Sequence, residues 1–196
     1  MSRIVLVRHG RSAHIERQRV DRNGFLQWLD AYDRAGLDPN DAPPPELREL
    51  ARRAFVVTSD VTRARESAAL LSNSATPSPL LRETQLPIPS FAGWRLPMRV
   101  WSIAIGVLWI WRMRRGDATL RAELERAREA AKWLIALAQE QETVLAVTHG
   151  AVRRYLANAL LAEGWTCVYP RRNKWAEWSA WELSGGSFLR GGDRSR

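Results

Sequence analysis

Ile4-Val5-Leu6-Val7-Arg8-His9-Gly10 reads as a strand that stops on a polar tripeptide. Arg3 and the four apolar residues after it mark a strand over 3–7 buried on both faces, the pattern of a parallel sheet. A second stretch repeats the arrangement: Val144-Leu145-Ala146-Val147 runs into Thr148-His149-Gly150. Two of the chain's three histidines therefore sit at matched strand ends. In open α/β sheets, ligands bind at the carboxyl ends of the strands. The pattern predicts one site built from distant parts of the chain, and two imidazoles with an arginine there suggest phosphate handling.

Working outward, residues 24–35 carry Phe25, Leu26, Trp28, Leu29 and Tyr32 at helical spacing, with Asn23 as N-cap. Pro43-Pro44-Pro45 opens a second helix through Ala54. Phe55 to Thr58 is the next strand, and Ser59 or Asp60 caps a helix to about Leu71. Residues 72–97, rich in Ser and Pro, read as loop. Residues 118–141 form the clearest helix, with Leu120, Leu124, Ala127, Ala131, Leu134 and Ala138 on one stripe. A strand over 144–148, a helix over 150–162 and a last strand within Trp175–Leu183 complete the pattern. Alternating strands and helices predict an α/β fold, a three-layer sandwich with a mostly parallel central sheet flanked by helices. The expected organisation is one domain over 1–183, with a Trp-rich cap insert at about 84–117 and a mobile Gly-, Ser- and Arg-rich tail over 184–196.

The 196 residues, 45% hydrophobic and 26% charged, suit a single globular domain with a substantial core. No signal peptide is expected, because the first strand begins almost at Met1. Cys167 is the only cysteine, which excludes an intrachain disulfide and points to a reducing, cytoplasmic compartment. The net charge of +9 points to an anionic partner. Of the 30 basic residues only Lys132 and Lys174 are lysine. The arginines are scattered, with short clusters at Arg112/Arg114/Arg115 and Arg171/Arg172. No basic helix interleaves stacking aromatics, so the expected partner is a phosphorylated small molecule and not nucleic acid.

Four segments carry a family resemblance. They are Leu6-Val7-Arg8-His9-Gly10-Arg11-Ser12, Thr58-Ser59-Asp60-Val61-Thr62-Arg63-Ala64-Arg65-Glu66-Ser67-Ala68, Leu81-Arg82-Glu83 and Val147-Thr148-His149-Gly150. In kind and order they resemble the motifs of the histidine phosphatase superfamily, the phosphoglycerate mutase-like proteins. The resemblance implies that His9 is the nucleophile, Glu83 the general acid, and His149 a charged donor to the phosphate. Arg8 and Arg63 would hold phosphate oxygens, for which the planar guanidinium fork is suited. Arg65 is a rival to Arg63. Gly10 and Gly150 would let the backbone approach the anion, the helix after Gly150 would point its N-terminus at it, and Arg11 and Ser12 would line the pocket. A neutral imidazole is a good nucleophile at neutral pH, and N-phosphorylation splits the reaction into two easier steps.

The chain departs from the family in two places. Many members carry Asn where Ile15 stands, with His14 beside it as a substitute polar contact, and Gly116-Asp117-Ala118 replaces a Gly-Glu-Ser motif. No metal-ligand spacing and no Walker-type loop is present, so neither metal nor cofactor is expected. The reading is a metal-independent phosphomonoester hydrolase acting through phosphohistidine on His9. The alternatives are a catalytically weak phospho-ligand-binding or membrane-surface module of the same fold, and a phosphomutase.

Residues 100–111, Val-Trp-Ser-Ile-Ala-Ile-Gly-Val-Leu-Trp-Ile-Trp, are the most apolar stretch, with Arg99 before and Arg112, Arg114 and Arg115 after. As a helix this is about 18 Å long, too short for a bilayer core of about 30 Å. It reads as a buried cap helix or a homodimer contact. The other reading is a peripheral membrane anchor over 99–115. Trp101, Trp109 or Trp111 lining the cap would favour an apolar or aromatic leaving group.

Overall fold

The computed structural model describes residues 2–14, 19–85, 87–90, 93–168 and 177–185. Along the chain run β1 (Arg3–Arg8), β2 (Arg19–Val20), α1 (Arg22–Arg34), α2 (Pro45–Ala51), β3 (Phe55–Ser59), α3 (Thr62–Ala69) and β4 (Thr76–Ser78). A 3-10 turn (Pro79–Leu81) follows, then β5 (Leu96–Pro97), α4 (Met98–Arg114), α5 (Ala118–Gln141), β6 (Thr143–Thr148), α6 (Gly150–Ala162), β7 (Thr166–Cys167) and β8 (Ala180–Ser184).

The main sheet has the order β4-β3-β6-β1-β8-β7. β1, β6, β3 and β4 are parallel, and β8 and β7 are added antiparallel at the other side. The late strand β6 inserts between β1 and β3, pairing Val7 with Val147 and Arg8 with Thr148. This register brings the two strand-end histidines side by side, and His9 N–H donates to Thr148 O at 2.9 Å.

The apolar runs alternate cleanly. Ile4, Leu6, Val144 and Ala146 face α5 and α6, where Leu134, Leu156 and Leu160 are buried. Val5, Val7, Leu145 and Val147 face α2 and α3, packing with Leu47, Ala64 and Ala68. Two covered faces explain why these strands are apolar throughout. The predicted α5 stripe is buried, apart from half-buried Leu124.

Several local expectations are corrected. Asp21, and not Asn23, caps α1, its carboxylate accepting from Gly24 N at 2.8 Å. α2 ends at Ala51, three residues before the expected Ala54. α3 starts after Val61 with no side-chain cap, because Ser59 and Asp60 are used elsewhere. Ser59 binds His149, and Asp60 accepts from Arg82 Nε at 2.6 Å. The segment 72–97 is not all loop. It contains β4, the 3-10 turn and β5, and Pro77 is tolerated because β4 is the sheet edge. The last strand, expected within Trp175–Leu183, runs over Ala180–Ser184; Trp175 itself lies outside the described residues, as do Ile15, Arg171, Arg172 and the tail beyond Gly185.

The insert builds a small second core. β2 pairs with β5, and α4 lays Trp101 on Phe25 of α1, with ring centroids 4.7 Å apart and 12° between planes. Trp101 is fully buried, and its Nε1 donates to Val20 O at 3.1 Å. α4 buries one side only. The buried cap helix or homodimer contact expected here is buried on that one side, with Ile103, Val107, Ile110 and Trp111 exposed.

Candidate active site

His9 directly follows β1 and is 2% exposed. Its Nδ1 lies 2.6 Å from Gly10 O, and Arg63 Nε approaches its Nε2 at 3.3 Å. A carbonyl only accepts and a guanidinium only donates, so Nδ1 carries the proton and Nε2 keeps its lone pair. Burial, and then the charge of Arg63, lower the His9 pKa to about 3. The imidazole is neutral at physiological pH.

His149 sits between β6 and α6 at the N-cap of α6, is fully buried, and lies edge-on to His9 with centroids 5.1 Å apart. Arg63 Nη2 faces its Nδ1 at 3.4 Å, and its Nε2 is 2.9 Å from Ser59 Oγ. The same donor logic makes Nδ1 the bare nitrogen and Nε2–H the donor to Ser59. Burial, His9 and Arg63 hold the His149 pKa well below the ordinary histidine value. The expected imidazolium therefore depends on a phosphate dianion, whose charge acts in the opposite direction.

Arg63 joins the two rings. Position 63 falls on the buried side of α3 and Arg65 on the exposed side, which separates the two rival arginines. Arg63 is 1% exposed. Its Nη1 donates to Tyr32 O at 3.2 Å and lies 3.3 Å from the solvent-exposed Asp33 carboxylate. Its guanidinium stacks over the Tyr32 ring at 4.5 Å. Ser67, one helical turn on, donates to Arg63 O at 2.7 Å and accepts from Gly10 N at 3.0 Å, tying the arginine to the loop after β1.

Glu83 follows the 3-10 turn. Its Oε1 accepts from Thr84 N at 3.1 Å and from Val152 N, in the first turn of α6, at 3.3 Å. Burial pushes its carboxyl above the ordinary glutamate value and outweighs those two amides, which act the other way. The α6 N-terminus, expected to face the phosphate, thus gives its Val152 amide to Glu83. The loop is clamped by Arg126 Nη1, which donates to Leu80 O at 2.9 Å and Arg82 O at 2.8 Å, and by Thr148 Oγ1, which donates to Leu81 O at 2.8 Å.

The remaining residues divide. Arg8 is half-buried at the end of β1, and its charge bears on both imidazoles. Gly150 is buried as the first residue of α6. Gly10 is also needed for packing. A Cβ there would lie 2.6 Å from Asp41 Oδ2, 2.6 Å from Leu37 Cδ1 and 2.7 Å from Trp178 Cε2, so its bareness lets these loops close. Arg11 turns its guanidinium outward to Asp38 at 3.7 Å, and Ser12 Oγ accepts from His14 N at 3.3 Å. No hydrogen bond joins either of them to His9, Arg63 or His149 among the described residues. The cap tryptophans also differ from expectation: Trp101 packs on Phe25, Trp109 on Tyr155 at 5.8 Å, and Trp111 is 48% exposed. The ring wall nearest Arg63 comes from α1, where Tyr32 stacks on Trp28 at 5.1 Å.

The histidine phosphatase superfamily (branch 1) model matches residues 4–188. The chain belongs to the histidine phosphatase superfamily. Solved structures share its fold. A mycobacterial glucosyl-3-phosphoglycerate phosphatase in complex with VO3 is 22% identical, with 94% of this chain and 93% of that one covered and a TM-score of 0.56. A second mycobacterial structure, called hydrolase 2, is 22% identical over 96% and 86% of the two chains, with a TM-score of 0.55. An ecdysone phosphate phosphatase from Bombix mori in complex with tungstate is 14% identical over 94% and 90%, with a TM-score of 0.55. No curated protein sequence matches the chain.

In this histidine phosphatase superfamily member, sequence reasoning passed over Ser59 as a His149 partner, Ser67 as a tether, and Tyr32 and Asp33 as supports of Arg63. It also missed Arg153, which is fully buried and donates through Nη1 to both Ser179 O and Ser179 Oγ. Burial and the nearby Arg8 lower its pKa to about 10. Arg153 stands four residues after His149, so helical spacing places it on the same face and was the available signal.

Proposed function

We propose that the chain is a phosphomonoester hydrolase in which His9 Nε2 takes the phosphoryl group. The observation that carries this reading is the His9 hydrogen-bond pattern, with Nδ1–H spent on Gly10 O and the Nε2 lone pair held under Arg63. Attack by Nε2 on phosphorus breaks the bond to the leaving oxygen, which takes the proton of neutral Glu83. Oε1 of Glu83 is engaged by two amides, so Oε2 carries that proton. Water then attacks the phosphohistidine, its proton returns to Glu83, and His9 leaves as neutral imidazole with inorganic phosphate. Arg63 and Arg8 stabilise the equatorial oxygens. His149, protonated at Nδ1 as the dianion raises its pKa, donates to the same oxygens.

We place the leaving group against α1, whose Tyr32 stacks on Arg63 and on Trp28. His14 Nε2, Trp28 Nε1 and Thr84 Oγ1 are buried polar atoms without hydrogen-bond partners among the described residues. The rings of His14 and Trp28 are 5.6 Å apart. Buried polar atoms of this kind ask for a partner, and a hydroxyl-bearing leaving group supplies one.

Rapid quenching with a labelled phosphomonoester tests the reading. Acid-labile, base-stable label on His9, absent in His9→Ala, is expected, with label released to water and not to an added alcohol. Label on a carboxylate or serine overturns the nucleophile, and efficient transfer to the alcohol makes the chain a mutase.

A further inference from the structure

We infer that the outward face of α4 docks on the surface of an anionic bilayer. α4 is apolar on nearly every side, a composition that normally means burial all round. Only one side is covered, with Trp101 and Ile105 buried in the small core with Phe25. The opposite side presents Val100, Ile103, Val107, Ile110 and Trp111, at helical positions i, i+3, i+7, i+10 and i+11, as one stripe. These residues are between 39% (Val100) and 67% (Ile103) exposed. Trp94, just before the helix, is 68% exposed. A continuous apolar stripe of this kind marks an interaction surface.

The charges around the stripe choose its occupant. From Thr84 to Gly116 the sequence has no acidic residue and five arginines: Arg95, Arg99, Arg112, Arg114 and Arg115. A second copy seated face to face would set arginines against arginines under two-fold symmetry. An anionic bilayer offers acyl chains to the stripe and headgroups to the arginine rim. Trp94 and Trp111 lie toward the two ends of the stripe, and tryptophan favours the headgroup level. The helix has 17 residues, about 25 Å of rise, and no described helix is long and apolar enough to cross a membrane. α4 therefore lies in the plane of the interface.

Cosedimentation of the full chain with vesicles tests this, using phosphatidylcholine alone and phosphatidylcholine mixed with phosphatidylglycerol. Binding to the mixed vesicles is expected to be at least about tenfold tighter and to weaken with salt. Ile103→Glu with Val107→Glu should lower it at least about tenfold, and Arg114→Gln with Arg115→Gln several-fold. Turnover of a soluble aryl phosphate without vesicles should be unchanged in both double variants, which keeps the test separate from the hydrolase reading. Absence of binding to mixed vesicles overturns the proposal, as does binding that both double variants retain. A dimer in sedimentation velocity that Ile103→Glu with Val107→Glu dissolves, without vesicle binding, assigns the face to a second copy instead.

Discussion

Arg63 Nε rests on the lone pair of His9 Nε2 at 3.3 Å, so a helix-borne cation and a strand-end imidazole share one hydrogen bond. The contact repels a proton from Nε2 while leaving its electron pair directed at the guanidinium. A charged donor and a nucleophile in the same place suit a group that is both electrophile and anion, as a phosphoryl group is.

The first prediction concerns pH and activity. With its pKa near 3, His9 is deprotonated at all working pH values, and no acid limb should arise from it above about pH 4. With Glu83 as the proposed general acid, the first step needs its protonated form, and its raised pKa places a basic limb above the ordinary glutamate range. A kcat/KM profile taken with two substrates of different second phosphate pKa separates enzyme limbs from substrate limbs. An enzyme acid limb near 6.5 counts against the neutral nucleophile.

The same shift bears on stability. Below pH 6.5 the unfolded chain protonates this histidine and the folded chain does not until about pH 3. The unfolded state therefore binds more protons across that window, and stability falls as the pH is lowered through it. A shift from 6.5 to about 3 sets an upper bound of about 5 kcal/mol. Urea unfolding at pH 7 and pH 4.5 should show a smaller loss for His9→Asn than for the parent chain.

Glu83→Gln should slow alkyl phosphates by about 100-fold or more in the phosphorylation step, because their leaving oxygens need the proton. Aryl phosphates with acidic phenols should lose far less in that step. Single-turnover kinetics reads it apart from hydrolysis of the phosphoenzyme. Equal losses for both substrate classes would mean that the carboxyl only caps α6.

Gly10→Ala places a methyl against Asp41, Leu37 and Trp178. A destabilisation of about 1–3 kcal/mol is expected from overpacking, measured by urea unfolding. His14→Phe keeps the ring face against Trp28 and removes the buried Nε2. It should raise KM for polyol phosphates several-fold and leave unsubstituted phenyl phosphate unaffected.

What could be read in the sequence was what is local. β1 and β6 announce themselves as contiguous apolar runs because both sheet faces are covered, and α5 because one stripe stays in phase over 24 residues. β4 and β7, of three and two residues, are too short for any period and exist only through their neighbours. Ser59 favours helix caps by chemistry, yet its hydroxyl is engaged by His149 from 90 positions away. The apolar insert was legible as a helix, but its sidedness was not. Trp101 and Trp111 are the same residue type ten positions apart on one helix, and only tertiary packing buries the first and exposes the second.

Arg8, Arg63 and Arg153 gather around two imidazoles that stay neutral there unless an anion joins them. The folded chain thus concentrates positive charge that the unfolded chain disperses, and an anion seated among these groups acts as a folding ligand. Inorganic phosphate at about 100 times its dissociation constant should stabilise the fold by about 2.7 kcal/mol. Product affinity and the stability that phosphate adds are then the same quantity seen from two sides. A variant that binds phosphate more weakly is one that phosphate protects less against heat.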